Sequence, residues 1–204
     1  ASYATAIDAI GATATKGDIF EQPSISVKIS ALHPRFDEKN KDICIPELYE
    51  SLLSLCTRAK ADKMGLTIDA EEVARLDLSL ELVERLAQAP ELQGWNGLGL
   101  AVQAYGRRAK PTLKWLAELA GRSKRVLPVR LVKGAYWDTE IKRTQEGGFE
   151  TYPVFTRKVS TDVSYLSCAK FMLSSRDVFF PQFATHNAQT LAEKLEGLGH
   201  EAIV

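Results

Sequence analysis

Val126–Lys142 reads VLPVRLVKGAYWDTEIK, and the fold turns on how this stretch is interpreted. Val126, Leu127, Val129, Leu131 and Val132 form a short run rich in β-branched residues, the composition of a parallel strand buried on both faces. Arg130 and Lys133 are set into that run, and an apolar environment rejects both unless an anion meets them. Gly134 and Ala135 end the run almost without side chain, so a ligand can approach the backbone, and Asp138 is placed to cap a helix over residues 139–145. A cationic strand end, a small-residue turn and a helix start suit an anionic ligand such as a phosphate or a reduced flavin ring. The plainer alternative pairs Arg130 and Lys133 with acidic neighbours at the rim of a barrel.

Outward from this stretch, strand and helix alternate. Residues 25–29, 66–68, 97–102 and 178–184 read as further strands, and 202–204 as a strand stub. Leu48, Leu52, Leu55 and Ala59 fall at helical spacing, as do Val73, Leu76, Leu80, Val83 and Ala87, then Leu113, Leu116, Ala117 and Ala120. Residues 3–15 suggest an Ala-rich helix, 155–173 a long helix and 187–195 a final one, while 34–45 reads as an irregular surface loop. Alternation of this kind implies parallel strands with helical crossovers. Lys28, Asp69, Gln103, Arg130 with Lys133, and Thr185 with His186 each fall at or near the end of a different strand. An open sheet concentrates its site at one switch point, whereas a barrel gathers residues from many strand ends onto one face. The expected class is therefore α/β, a (β/α)8 barrel of TIM type, incomplete at five strands plus a stub.

Composition narrows the function. The chain has 204 residues, and its 26 basic side chains balance 26 acidic ones, so bulk charge offers no reason for a nucleic-acid partner. Cys44, Cys56 and Cys168 form no disulfide framework, and His33, His186 and His200 show no ligand spacing, so no metal is expected. No long apolar run or signal peptide is visible, which fits a cytoplasmic setting, and the missing initiator Met suggests a start inside a longer protein. The glycines at 94, 97 and 99 do not join a strand to a helix, so no dinucleotide fingerprint follows.

Several candidate residues have a structural rival. Asp69 either faces a ligand or caps the next helix, with Glu72 completing a capping box. Lys28, read as lying within a strand, must point at a partner or ligand. Gln103 either satisfies backbone groups at the rim or reads a flavin or nucleobase edge with its amide. His186 is either a rim histidine or a ligand contact beside Thr185, and Asn187 is a natural N-cap. Tyr136 and Trp137 are either core or walls for a planar ring.

The strings SVKISALHPRF, WNGLGLAVQAYGRR, PVRLVKGAYWDTEIKR, YPVFTRKVSTDVSYLSCAK and PQFATHNAQT, in this order, resemble the proline dehydrogenase domain of the bifunctional proline utilization flavoenzymes. The resemblance implies a distorted (β/α)8 barrel that binds FAD and oxidises L-proline to Δ1-pyrroline-5-carboxylate, with a membrane quinone as electron acceptor. It implies a flavin-edge role for Arg130 and Gln103, and cofactor contacts from Lys133, Gly134, Ala135, Trp137, Thr156, Arg157, Lys158, Thr185, His186 and Asn187. Lys28 and Asp69 would form the substrate pocket, with Asp69 also near the cofactor, and Tyr136 would pack against the ring. It further implies an aldehyde dehydrogenase domain in the same parent chain and transient peripheral membrane association of the reduced parent. The family's tandem arginine clamp for the substrate carboxylate lies on a helix this sequence does not reach; Arg107 and Arg108 follow a different strand. Residues 1–204 are thus expected to be a partial barrel domain without the first and last strands. Two other readings stand beside this one: a Schiff-base lyase using Lys28 or Lys133, and a non-catalytic folding or interaction fragment.

Overall fold

Alternation along the strands separates an apolar face from a polar one. In the computed structural model, which describes residues 2–15 and 17–184, Val27, Ile68, Leu100 and Val129 lie in register across neighbouring strands and are all buried. One residue earlier along each strand, Ser26, Thr67, Gly99 and Pro128 form the opposite face; two residues later comes a row of Ala101, Arg130 and Gln182. The apolar row joins one core with Leu48 and Leu52, Leu82 and Leu86, Leu113 and Leu116, and Tyr165 and Met172. Burying each such leucine contributes about 2 kcal/mol, so this face holds the helices on the sheet.

The strands are β1 (Ser24–Val27), β2 (Gly65–Ile68), β3 (Leu98–Gln103), β4 (Leu127–Val132) and β5 (Phe179–Phe183). All pair in parallel, in the order β1-β2-β3-β4-β5. The helices are α1 (Ser2–Gly11), α2 (Lys41–Ala61), α3 (Leu76–Gln88), α4 (Ala109–Ser123), α5 (Trp137–Glu146) and α6 (Lys158–Leu173). α1 packs on α2, α2 on α3, α3 on α4 and α4 on α6, a single layer that follows the strand order. Sequential parallel strands under one helical layer are the arrangement of a (β/α) barrel wall rather than of a doubly wound sheet. Among the described residues the wall is not closed. Just before β1, a 3-10 turn at Ile19–Glu21, capped by the Asp18 carboxylate on the Phe20 N–H, stacks Phe20 on Phe180 with centroids 4.3 Å apart and planes within 4°. The segment before the first strand therefore reaches the last.

Several expectations need correction. β1 ends at Val27, so Lys28 lies just beyond the strand, at the start of a 3-10 turn (Ile29–Ala31), and β1 is an edge strand of the described sheet. β4 is fourth of five, and its Arg130 and Val132 are only half-buried, so one face is not fully covered. The loop expected over 34–45 is helical from Lys41, and Phe36, Cys44 and Ile45 are buried. Asp37 caps the 3-10 turn at Glu38–Asn40 that leads into it, accepting the Asn40 N–H at 3.1 Å, and the helix carries Pro46 in its second turn. Asp138 does not cap α5: Tyr136 occupies the N-cap position and Asp138 sits in the first turn. Helix α1 stops at Gly11 rather than near residue 15, and α6 begins at Lys158 rather than near 155. The expected helix at 187–195, the stub at 202–204 and the residues Thr185, His186, Asn187 and His200 lie outside the described residues.

Candidate active site

The two-residue strand period that puts Ser26 and Thr67 on the polar face carries on to Lys28 and Asp69, and Asp69 extends the ladder by donating its N–H to the Val27 carbonyl at 2.9 Å. Arg130 enters the same face from β4. Asp69 joins both cations: Lys28 Nζ donates to Oδ2 at 2.7 Å and Arg130 Nη2 donates to Oδ1, while Arg130 Nη1 donates to Ser26 Oγ at 3.0 Å. Asp69 is 17% exposed and Lys28 50%, so the cluster lies at the wet mouth of a cavity. The hydrogen bond to Asp69 raises the Lys28 pKa above its usual value, against a smaller opposing effect of burial. The capping-box role for Asp69 and Glu72 is not formed: Glu72 holds the N-cap position of the 3-10 turn at Val73–Arg75, but its side chain makes no cap hydrogen bond.

Gln103, last in β3, ties two loops together. Its Nε2 donates to the Glu71 carbonyl at 2.8 Å, and its Oε1 accepts the Ala135 N–H at 3.1 Å. Lys133 is paired with Asp162 on α6. Gly134 has φ +134°, and a Cβ there would lie 2.5 Å from the ring of Tyr105. Tyr105 in turn donates its N–H to the Lys133 carbonyl at 2.8 Å and accepts the Phe155 N–H at 2.8 Å, so one residue holds both the 133–137 turn and the segment leading to α6. Trp137 remains 40% exposed and donates Nε1–H to the Phe155 carbonyl at 2.9 Å.

A cavity of about 860 Å³ collects Lys28, Asp69, Gln103, Arg130, Lys133, Gly134, Ala135 and Tyr136, together with Lys158. A second of about 380 Å³ continues from it along Lys133, Gly134 and Lys158 to Trp137 and Thr156. Arg157, exposed, immediately precedes α6 and touches neither. Through these shared residues the two cavities make one trough with cations and a glycine backbone in its wall. That shape and donor set fit a long anionic molecule carrying a planar ring, the description of a flavin dinucleotide.

Reading the sequence missed several supports. Glu71, 7% exposed, accepts the Ser30 N–H at 2.9 Å and pairs with Arg75 at 2.6 Å; Glu140, 4% exposed, accepts the Val73 N–H at 2.8 Å. Only the i,i+4 spacing of Glu71 and Arg75 was visible in advance. Glu140 and Asp162 resemble any solvated helix acid until the fold brings their partners to them. Among the described residues, no helix is long and apolar enough to cross a membrane.

Comparison with known proteins follows the same lines. The description of the proline dehydrogenase family matches residues 1–203. Over 191 residues the chain is 54% identical to the bifunctional protein PutA of Salmonella typhimurium, covering 94% of this chain and 14% of that one. The bifunctional protein PutA of Rhizobium meliloti is 50% identical over 190 residues, with 93% and 15% covered. Among solved structures, a variant of proline utilization A (PutA) from Bradyrhizobium japonicum superposes with a TM-score of 0.94 at 51% identity, over 96% of this chain and 20% of that one. PutA from Bdellovibrio bacteriovorus inactivated by N-propargylglycine gives 0.88 at 29% identity, over 96% and 22%. The chain thus spans about a seventh of the curated relatives it matches.

Proposed function

The chain belongs to the proline dehydrogenase family, and on that premise we propose that it forms part of an FAD-dependent enzyme oxidising L-proline to Δ1-pyrroline-5-carboxylate. The observation that carries this reading is the large cavity into which four strand ends deliver Lys28, Asp69, Gln103, Arg130 and Lys133. A bound flavin would supply the two-electron acceptor for a hydride from proline C5 at its N5, with a quinone as the onward electron acceptor. The chain's own residues bind, orient and polarise. Lys28, protonated and half-exposed, offers a cation to the substrate carboxylate, and Asp69 holds that ammonium and the Arg130 guanidinium in fixed relative positions. Arg130, which lines the cavity, would stabilise negative charge that accumulates there. Lys133, Gly134, Ala135, Trp137, Thr156 and Lys158 would hold the cofactor along the trough, with Arg157, Thr185, His186 and Asn187 added from the family resemblance, and Tyr136 would pack against its ring.

The same reading places residues 1–204 in a longer bifunctional protein that also carries an aldehyde dehydrogenase domain. That protein would be cytoplasmic and associate peripherally with the membrane when reduced. The Schiff-base alternative is disfavoured: such a lysine needs a lowered pKa, whereas Lys28 is raised by Asp69 and Lys133 is held by Asp162.

The full-length protein should be yellow and should lose its visible flavin bands when L-proline is added without oxygen; a colourless protein, or bands indifferent to proline, would overturn the assignment. Replacing Lys28 with methionine should leave the flavin content unchanged and weaken ring analogues bearing a carboxylate about tenfold, while sparing uncharged ring analogues. Calorimetric titration of both analogue types decides this, and equal weakening would reduce Lys28 to a support of the fold.

A further inference from the structure

Behind the main trough lies another cavity of about 240 Å³, between the N-terminal ends of α3 and α4 and against β3, with Thr151–Pro153 along one wall. It shares Asp69, Ala70, Ala101 and Gln103 with the main cavity, so only one layer of residues separates the two. Its interior is chiefly apolar, lined by Leu76, Leu100, Val102, Ala109 and Pro153. Protein interiors leave few voids larger than a water molecule, and a void lined by such groups forfeits their contacts. A dry cavity of roughly 150 Å³ already accepts benzene, so this one has room for a ring bearing a substituent.

One polar feature says what that substituent is. Arg107 lines the cavity, is exposed, and makes no ion pair among the described residues. The surrounding charges are all committed: Arg108 grips Asp77 through two bonds of 2.9 and 2.6 Å, and Arg75 holds Glu71 and Glu72. A lone uncommitted guanidinium beside an apolar slot selects a carboxylate on an apolar body. We propose that this cavity is a second ligand site, for a small ring-bearing carboxylic acid whose ring enters between α3 and α4 and whose carboxylate meets Arg107.

Phenylacetate is a suitable probe, titrated calorimetrically into the full-length flavin-bound protein. Saturable binding at millimolar concentrations is expected, with benzyl alcohol and Arg107→Met each weakening it about fivefold, the scale of an exposed charge pair. Ser79, 8% exposed on α3, lines this cavity but not the main one, and its hydroxyl donates to the carbonyl of Arg75, the residue just before that helix, at 2.9 Å. Ser79→Leu should therefore fill the cavity and abolish binding. Thr112→Leu, from α4, gives the same readout should Ser79→Leu lose its cooperative melt. Lys28→Met alters only the main cavity and should leave phenylacetate binding intact. The proposal is overturned if phenylacetate does not bind saturably, or if binding survives Ser79→Leu and Thr112→Leu but is lost in Lys28→Met, which would place the acid in the main cavity.

Discussion

Replacing Arg130 with methionine is expected to slow flavin reduction by saturating proline about 100- to 1,000-fold while leaving the flavin bound, the cost typical of removing one preorganised donor from a site of developing negative charge. Arg130 can act in this way because its guanidinium is fixed twice, by Asp69 on β2's extension and by Ser26 on β1. It therefore needs no reorganisation when charge builds up in the cavity. Methionine retains most of the apolar stem and removes the donors, and Asp69 keeps Lys28 at 2.7 Å, so the remaining carboxylate is not orphaned. Stopped-flow spectroscopy of a single turnover in the full-length protein measures the effect. Reduction at the wild-type rate would show that the arginine only braces the strand ends.

Gly134→Ala should be the most damaging small substitution in the site, destabilising the domain by about 3–5 kcal/mol. Two costs combine. The backbone at φ +134° is one that residues with a Cβ seldom adopt, a strain of about 1–3 kcal/mol, and the new methyl would meet the Tyr105 ring at 2.5 Å, an overpacking of similar size. Tyr105 cannot swing away freely, because its backbone is bonded on both sides to Lys133 and Phe155 and its side chain is buried. Denaturant unfolding checks the total, and the double variant with Tyr105→Ala separates the parts: the steric share disappears and the backbone share remains. A Gly134→Ala protein within 1 kcal/mol of wild type would contradict this account.

The parallel architecture was legible because buried strands and amphipathic helices have different periods, and because charged residues stood at strand ends where a core would reject them. Arg130 and Lys133 were identifiable on those grounds, and their need for anions is met in the structure by Asp69 and Asp162. The identity of those anions was not legible, since residues 61 and 29 positions away in the chain become neighbours only through the fold. Gln103 shows the limit differently. Either a ligand or the backbone could have satisfied its amide, and in this structure Glu71 and Ala135 do. The start of α2 was not legible because its charges, with Asn40 and Asp42, read as a loop, and the burial of Cys44 and Ile45 appears only in the fold. The cavity beside Arg107 left no trace in the sequence, because a void is made by residues that stop short of one another.

The strand order has a consequence for how the chain comes into being. Because β1 to β5 pair in the order in which they are written, each strand that leaves the ribosome finds its neighbour already made. The wall can grow one strand and helix at a time, with loops no longer than a single crossover to close. Phe20 is different. Its ring is synthesised before any strand, yet its stacking partner Phe180 belongs to the last, so this contact must wait until the whole described wall has emerged. During synthesis the aromatic face of Phe20 is a loose end, and its capture by Phe180 marks the moment at which the two edges of the sheet first belong to one object.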